Sequence, residues 1–567
     1  MKKVLLLVAT ITSIVSTNAQ IPVGDYLDIN NIKARANSNG SLFNDPSYNQ
    51  QFEVPKASGK HTIWAGQLLI GGIDASSTLK TAVTFWAGPL NSFATTDSTT
   101  IAMYNKVWKL NQCDIDTYMN WYYGGQMGPN PTDSIAMNTI LNWPTLNPTG
   151  GSLAPYVDAN SNGVYESYAG DYPLIKGDQA IFFVFNDVGL TPMPGYTSIG
   201  VEIQAMVYAY SCSDDSSLYN TIFSNYKIIN KSSFRIDSTF VGNWTDLDIG
   251  SCTDDYVGCD VTRGAYYGYN GDLVDDNPPA GQNTYGANPP SQGVTFLSGP
   301  WADPNGIDDA SLSTPNGSGY GDAIVDNERL GMSRFVYYDN NSSATGNPSN
   351  ATDYYNYLSG TWKDATPWTY GGTGHLTGVQ TDYLYPATSD PMGYGTNMTP
   401  QSPWDETIAG NTPGDRRGLG SFGPFTFQPG AIQEIDFAYV YGRAISGGNL
   451  ASVAVMQDRI DSVRQKFNNG ITECGCSSLT GINNISQNEN LLSIYPNPSS
   501  NNIIINFSST SKNISIKIYD VAGRLVKNIE NVKSGENTIN VSELENGLYL
   551  LNLKDGNNSI TKRFVKQ

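Results

Sequence analysis

The sequence predicts a mainly β protein, with a large β-rich body of sandwich or jelly-roll type and a small C-terminal sandwich. The composition is rich in turn formers and aromatic residues, with 57 Gly, 30 Pro and 35 Tyr, and only 15% of residues are charged. Helical bundles and coiled coils have the opposite composition. Apolar residues alternate with a period of two in several segments, which is typical of strands. The chain has 567 residues, more than one compact core holds, so we expect several structural units.

The net charge limits the classes of partner. The chain has 32 basic and 52 acidic residues, which gives a formal charge of −20. Such a surface repels nucleic-acid phosphates and anionic lipids and attracts cations. Only two histidines are present, His61 and His375, so we do not expect a histidine-activated nucleophile or a multi-histidine metal site. The sequence therefore predicts no nucleic-acid partner.

Residues 1–19 have the pattern of a secretory signal peptide. Lys2 and Lys3 precede an apolar run at 4–15, and small residues up to Ala19 form a cleavage site. The run is shorter than the ~20 residues of a membrane-spanning helix, and no other apolar stretch reaches that length. We therefore predict a mature protein that begins at Gln20, outside the cytoplasm, and no transmembrane segment.

Residues 20–470 form the predicted β-rich body, which has room for one or two subdomains. Alternation at 201–209 and 435–441, and the continuous apolar run AIFFVF at 180–185, predict strands. A helix that covers the sheet is predicted over 451–467, because apolar residues recur there at intervals of three and four. Gly470 follows as a stop signal. The Ser-, Asn- and Gly-rich residues 471–490 form the predicted linker.

The six cysteines are able to form disulfides outside the cytoplasm, and fifteen pairings exist. Cys252 and Cys259 flank a short acidic loop and are placed to close it. Cys474 and Cys476 are too close in the sequence to bridge each other without strain.

Residues 491–567 form a separate predicted module. Alternation at 514–518 and 549–553 indicates strands, and about seven short strands in this length fit a small sandwich. From Asn490 onward there are nine basic and six acidic residues. The module is therefore mildly basic, whereas the rest of the chain is strongly acidic.

Four sequence blocks characterise this module. They are YPNP at 495–498, IYDVAGRLV at 518–526, NGLYLL at 546–551 and KRFVK at 562–566. Together they resemble the type A C-terminal sorting domain of cargo of the type IX secretion system of Bacteroidota. The resemblance implies an immunoglobulin-like sandwich at 491–567 that the export machinery recognises, then cleaves and often replaces with a lipopolysaccharide anchor. We expect a secreted or outer-membrane cell-surface protein; the alternative is an ordinary sandwich without a targeting role.

One acidic loop has the spacing of an EF-hand-type calcium loop. Its oxygen-bearing side chains at positions 1, 3, 5 and 9 are Asp158, Asn160, Asn162 and Glu166, and Val164 stands at position 7, where such loops use the backbone carbonyl. Position 12 is Ala169 instead of the bidentate Glu, so Asp171 or an acid from elsewhere would have to complete the shell. The sequence predicts calcium; the alternative is an Asn- and Gly-rich turn capped by aspartate.

Two further acidic clusters are predicted to bind cations. The predicted ligands are Asp246, Asp248, Asp254 and Asp255 in the first cluster and Asp303, Asn305 and Asp308 in the second. Residues 240–330 hold fourteen acids and two bases, Arg263 and Arg329. Charge runs are usually solvated surface, but here aromatic residues are interleaved with the acids. This pattern favours cation binding.

The body also resembles an uncharacterised family of secreted Bacteroidota proteins that carry the same kind of tail. The matching blocks lie at 156–187, 243–260, 321–338 and 423–430. The resemblance implies a shared architecture and no particular activity. Motifs of metalloproteases, α/β-hydrolases, P-loop enzymes and CxxC proteins are not found in the sequence.

We favour a calcium-stabilised, non-catalytic adhesion or glycan-binding protein. Tryptophans in Gly-, Pro- and Asn-rich surroundings are suited to stack on sugars from loops, although burial in the core fits them equally. These are Trp86, Trp108, Trp121, Trp143, Trp362, Trp368 and Trp404. The alternative is an extracellular polysaccharide hydrolase that uses paired carboxylates such as Asp405 or Glu406. A structural coat component without a ligand is a third class.

Overall fold

The structure is a computed structural model that describes residues 21–83, 87–126, 130–148, 150–188, 195–310, 315–475, 492–507, 514–520, 524–555 and 558–567. The predicted signal peptide and residues 476–490 of the predicted linker lie outside the described residues. The chain divides into two compact units, Met1–Cys476 and Ser477–Gln567. We refer to them below as the body and the tail.

The elements of the body follow in chain order. Its first half contains β1 (Gly24–Leu27), β2 (Lys33–Asn37), β3 (Phe52–Glu53), β4 (His61–Ile63), β5 (Ala65–Asp74), β6 (Leu79–Ala82), α1 (Ser98–Tyr104), β7 (Trp108–Asn111), α2 (Gln112–Tyr123), α3 (Ser134–Leu141), β8 (Tyr156–Val157), β9 (Tyr172–Pro173), β10 (Gln179–Asn186), β11 (Val201–Ala209) and β12 (Thr221–Asn230). Its second half contains β13 (Ile236–Leu247), β14 (Asp255–Asp260), β15 (Ala265–Asn270), β16 (Val274–Asp275), β17 (Gly286–Ala287), β18 (Ser291–Ser298), β19 (Met332–Asp339), α4 (Ala351–Ser359), α5 (Glu406–Ala409), β20 (Arg416–Phe427), β21 (Ile432–Gly442) and α6 (Gly448–Asn469).

Two antiparallel sheets form the centre of the body. The larger has the strand order β14-β15-β18-β21-β12-β11-β10-β7, and the smaller has the order β19-β20-β13-β5-β6. One hydrophobic core combines side chains of both sheets, among them Phe183 of β10 and Val241 of β13. The predicted mainly β class is thus confirmed.

A second core lies between the larger sheet and helices. It combines Phe182 of β10 and Val440 of β21 with residues of α2, α3 and α6, including Met456 and Ile460. Because neighbouring residues of β10 alternate between the two cores, the whole AIFFVF run is buried, as its lack of alternation predicted. The predicted helix is α6, and it covers the larger sheet by packing on β18 and β21.

A disulfide joins Cys212 to Cys474 and fastens the chain after α6 to the body. Cys252 and Cys259 are free thiols. The predicted closure of their loop is therefore wrong, because Cys259 lies on β14 with its side chain in the core between the sheets. Asp178 lies close to Cys212 and Cys474, but both sulfur atoms are bonded to each other and are not metal ligands.

The tail is a small sandwich of its own. Its strands are β22 (Leu492–Tyr495), β23 (Asn502–Phe507), β24 (Ile514–Asp520), β25 (Leu525–Ile529), β26 (Gly535–Asn540), β27 (Gly547–Asp555) and β28 (Asn558–Lys566). They form two antiparallel sheets, β22-β23-β26 and β25-β24-β27-β28. Alternate residues of β24 and β27, such as Ile516 and Leu551, are buried in one core, which is the pattern that their period of two predicted.

Among the described residues, no helix combines the length and the apolar character that crossing a membrane requires.

Candidate metal centre and adjoining cleft

Three aspartates come together at one end of the smaller sheet, and we refer to them as the aspartate triad. Asp246 lies near the end of β13, Asp248 follows that strand, and Asp415 precedes β20. Carboxylate oxygens of all three lie within 4.8 Å of one another. The antiparallel pairing of β13 with β20, in which Asp246 lies opposite Arg417, brings these distant parts of the sequence together.

One guanidinium contacts two members of the triad. Arg417 Nη2 lies 3.1 Å from Asp246 Oδ2, and Arg417 Nη1 lies 2.6 Å from Asp415 Oδ1. Three carboxylates beside one guanidinium leave an excess of two negative charges when all are ionised. Such an excess is costly in a site that is largely removed from water, unless a proton or a cation reduces it.

The pKa values of two members of the triad, Asp246 and Asp248, are raised. Asp246 is buried, and burial followed by the charge of Asp248 raises its pKa well above the ordinary value. Burial and then the charge of Asp415 raise the pKa of Asp248 to about 7, although Gln50 Nε2 donates a hydrogen bond to Asp248 Oδ2 at 3.0 Å. Asp246 Oδ1 is buried and accepts no hydrogen bond from the described residues. One carboxylate oxygen of the triad thus remains available to a ligand.

The structure brings together two of the four ligands predicted in this cluster. Asp254 is half-buried, and Asp255 is buried at the start of β14, where its Oδ2 accepts the backbone N–H of Ile249 at 2.9 Å. Neither belongs to the triad. The third member, Asp415, was missed by the sequence analysis. The one local signal for it is the charged stretch at 415–417, which opens an otherwise mainly apolar strand.

The predicted calcium loop at 158–166 is folded by hydrogen bonds between its own residues. Asp158 Oδ2 accepts the backbone N–H of Gly163 at 2.7 Å, and Asn162 Oδ1 accepts that of Val164 at 2.8 Å. Asn162 Nδ2 donates to Glu166 Oε2 at 2.6 Å. The loop therefore turns its polar side chains inward, as a cation-binding loop and a capped turn both do.

Asp171 is buried and fastens both ends of this loop. Its Oδ1 accepts the backbone N–H of Ala159 at 2.9 Å, and its Oδ2 accepts that of Glu166 at 2.7 Å. Asn160 Oδ1 accepts the backbone N–H of Asn162 at 3.0 Å. Asp171 thus lies next to the loop, where the sequence analysis needed a further carboxylate to complete the coordination shell of calcium. Calcium binding at this loop stays a prediction.

The residues of the other predicted cluster are tied to segments farther along the chain. The bonds are Thr426 N to Asp303 Oδ1 at 2.7 Å, Gly321 N to Asp308 Oδ1 at 2.7 Å and Asn305 N to Asp326 Oδ1 at 2.8 Å. Asp303 and Asn305 are exposed, and Asp308 is half-buried. The bonds of Asn305 and Asp308 join this segment to residues 321–326, and that of Asp303 joins it to β20. Cation binding by these residues stays a prediction.

A polar cleft of about 430 Å³ adjoins the triad. It is lined by Tyr337, Asp339, Asn340, Asn341, Thr373, Asn411, Thr412, Asp415 and Arg416. Asp415 belongs both to the triad and to the wall of this cleft. The lining is rich in hydrogen-bonding groups, whereas the Tyr337 ring is largely buried. Such a lining is suited to a polar ligand.

The carboxylates proposed for a hydrolase are engaged elsewhere. Glu406 is buried; its Oε2 lies 3.0 Å from Arg416 Nη2, and its Oε1 accepts the backbone N–H of Val257 at 2.9 Å. Asp405 caps α5 by accepting the backbone N–H of Ile408 at 2.6 Å. Both side chains therefore have structural roles in the described chain.

Most of the tryptophans predicted to bind sugars are core residues. The buried ones are Trp108, Trp143, Trp362, Trp368 and Trp404, and Trp121 is half-buried. Trp86 lies outside the described residues. The alternative of burial in the core therefore holds for these five residues: Trp108 and Trp143 pack in the core between the larger sheet and the helices, and the other three, from the segment between β19 and β20, pack in the core between the two sheets. Trp404, for example, lies 4.8 Å from Tyr385 between ring centroids.

The fold and the tail together define an exported β-sheet protein. Residues 493–567 match the family model of the secretion system C-terminal sorting domain. The chain is therefore cargo of the type IX secretion system, and its tail directs it to the extracellular space or the cell surface. No curated protein shows significant sequence similarity to the chain.

Three solved structures show distant similarity. A DUF3244 family protein with an immunoglobulin-like β-sandwich fold from Bacteroides vulgatus is 20% identical over 14% of this chain and 88% of its own, with a TM-score of 0.13. A polysaccharide lyase is 7% identical over 73% of this chain and 38% of its own, with a TM-score of 0.19. The BSP domain of a biofilm associated protein is 6% identical over 62% of this chain and 61% of its own, with a TM-score of 0.12. The chain thus spans less than two thirds of the lyase and of the BSP domain. TM-scores this low do not indicate a shared activity.

Proposed function

We propose that this exported protein is a calcium-stabilised, non-catalytic adhesion or glycan-binding protein and that the polar cleft is its ligand site. The observation that carries the proposal is the lining of the cleft. Amide, hydroxyl and carboxylate groups of residues such as Asn341, Thr373 and Asp339 line it. Sugars offer many hydroxyl groups that form hydrogen bonds with such side chains.

The charge of the cleft favours an uncharged glycan. Asp339 and Asp415 line it together with a single cation, Arg416. The Arg416 guanidinium already pairs with Asp339 and with the buried Glu406. An anionic sugar would therefore meet excess negative charge, whereas neutral hydroxyl groups can donate hydrogen bonds to the carboxylates.

Calcium is proposed as the stabilising ion because the predicted ligands offer oxygen atoms only. The 158–166 loop contains no histidine or cysteine, and hard cations such as Ca²⁺ prefer carboxylate, amide and carbonyl oxygens. A loop without a bidentate Glu at position 12 is expected to bind weakly, with Kd of about 10⁻⁴ to 10⁻³ M, as extracellular calcium modules do.

The test is a panel of neutral and acidic polysaccharides screened with the full-length protein for retention and for release of reducing ends. We expect retention of one or more neutral polysaccharides without release of reducing ends. Thr373→Trp, which places a bulky ring at an exposed position of the cleft wall, should abolish retention. Thr78→Trp, at an exposed turn position between β5 and β6, is the matched control and should leave it unchanged.

Two results would overturn this proposal. Release of reducing ends would establish the hydrolase alternative. Retention that is equal in wild type and Thr373→Trp would remove the cleft as the ligand site.

A further inference from the structure

We propose that Asp246, Asp248 and Asp415 bind a divalent cation of the Ca²⁺ class that joins the end of β13 to the segment before β20. The inference deepens the calcium dependence proposed above by naming a site outside the predicted 158–166 loop. It does not depend on any glycan ligand.

The geometry of the triad suits a shared ion. Its carboxylate oxygens lie within 4.8 Å of one another, which is close to the separation of ligands that share one ion at 2.3 to 2.6 Å. Like charges at such a distance repel each other strongly in a partly buried site. The single guanidinium, Arg417, contacts Asp246 and Asp415 and balances one of the three charges.

The hydrogen bonding of Asp246 is independent of the charge count. Asp246 is only 6% exposed, yet its Oδ1 accepts no hydrogen bond from the described residues. An unsatisfied carboxylate oxygen in such a position costs stability unless a ligand occupies it. We therefore assign this oxygen as the ligand atom that Asp246 offers to the cation.

The type of ion follows from the ligand atoms. The group of close ligand atoms contains three aspartates, and no histidine or cysteine of the described residues belongs to it. Oxygen-only sites select hard cations over zinc or copper. Gln50 and Gln282 both donate to Asp248 Oδ2, so the side chains around the triad already hold one carboxylate in place.

The experiment compares thermal melts of the full-length protein in excess chelator and in about 10 mM Ca²⁺, a concentration above the Kd expected of extracellular modules. Wild type should gain a few degrees in Tm with calcium. Asp415→Asn should lose most of that gain. In chelator it should melt no lower than wild type, because the substitution removes a repelling charge.

A matched control is Asp382→Asn. Asp382 is about as exposed as Asp415 and also pairs with an arginine, Arg334, at 3.2 Å. This variant should keep the full calcium gain, because Asp382 does not belong to the triad. The comparison separates a cation ligand from an ordinary partner in an ion pair.

The outcomes distinguish the triad from the loop. If Asp158→Ala removes the calcium gain and Asp415→Asn keeps it, the loop holds the ion and this inference fails while the proposed function stands. If Asp415→Asn melts far below wild type in chelator and keeps the calcium gain, Asp415 acts as the ion-pair partner of Arg417, and the triad binds no cation. If wild type shows no calcium gain, both calcium proposals fail, and glycan retention is judged separately.

Discussion

Glu406 and Arg416 form a buried ion pair, with 3.0 Å between Oε2 and Nη2, on the inner side of the cleft wall. Because of this pair, Glu406, which the sequence analysis considered as a catalytic carboxylate, is a structural group. Both Glu406 oxygens are engaged by Arg416, Asn411 and the backbone of β14. The same guanidinium reaches Asp339 in the cleft, so the pair also supports the position of a lining residue.

Glu406→Gln should lower the free energy of unfolding of the body by about 3 kcal/mol, because it removes one partner of a buried pair. Urea denaturation followed by tryptophan fluorescence measures the change. Glu434→Gln is the control, since Glu434 pairs with Lys176 at 3.8 Å with both side chains well exposed, and its effect should stay below about 1 kcal/mol. Equal effects of the two substitutions would contradict the structural role of Glu406.

Removal of the Cys212–Cys474 disulfide should be among the costlier changes in the body. The bridge closes a loop with a sequence separation of 262, and the chain-entropy model assigns about 5.6 kcal/mol to a loop of this length. We expect Cys212→Ser with Cys474→Ser to lower the urea midpoint strongly under non-reducing conditions. Cys252→Ser, which alters a free thiol, should have a small effect. A double variant as stable as wild type would contradict the bridge.

Asp436 should make the stability of the body depend on pH. Burial raises its pKa from 3.8 to about 6, so the folded state binds the proton more tightly than the unfolded state. The stability that this provides is present below about pH 3.8 and is lost as the pH rises through about 6.

Asp436→Asn should therefore raise the free energy of unfolding relative to wild type by about 3 kcal/mol at pH 8 and have little effect near pH 4. Denaturant titrations at both pH values measure the difference. Asp458→Asn, an exposed substitution on α6, should show no such dependence. A destabilisation by Asp436→Asn at pH 8 would reverse the sign and contradict the prediction.

Calcium binding by the predicted loop at 158–166 is tested separately from binding by the triad. Asp158→Ala should reduce the calcium-dependent gain in Tm, because it removes the ligand at position 1 of the loop. Asp45→Ala is the matched control: Asp45 accepts backbone N–H groups of Ser47 and Asn49 in a turn of similar form. Asp45→Ala should lower Tm equally with calcium and with chelator. If Asp158→Ala does the same, the 158–166 segment is a capped turn.

The strands were predictable because apolar residues recur along them with a period of two. At 514–518 this period matches alternating burial on one face of a strand. At 201–209 the strand is buried on both faces, and the period separates residues of the two cores. The triad was only partly predictable. Asp246 and Asp248 stand in an acidic stretch, whereas Asp415 reaches them through the pairing of β13 with β20, which no local pattern encodes.

The sequence left the tryptophans undecided between sugar binding and burial for a related reason. Gly-, Pro- and Asn-rich surroundings correctly indicated irregular segments, but they do not tell whether a segment packs on itself. Trp362 and Trp368 are fully buried, with 6.5 Å between their ring centroids. The segment between β19 and β20 thus contributes aromatic residues to the core between the two sheets.

Export through the tail is tested most directly by deleting residues 491–567 in a host that has the type IX secretion system. Mass spectrometry and immunoblots of culture medium, cell surface and cell interior locate the product. We expect the full-length gene to yield an exported body that lacks residues 1–19 and the tail, and the deletion to leave the body inside the cell envelope. Undiminished export of the deleted chain, or recovery of exported protein that retains Met1, would contradict the account.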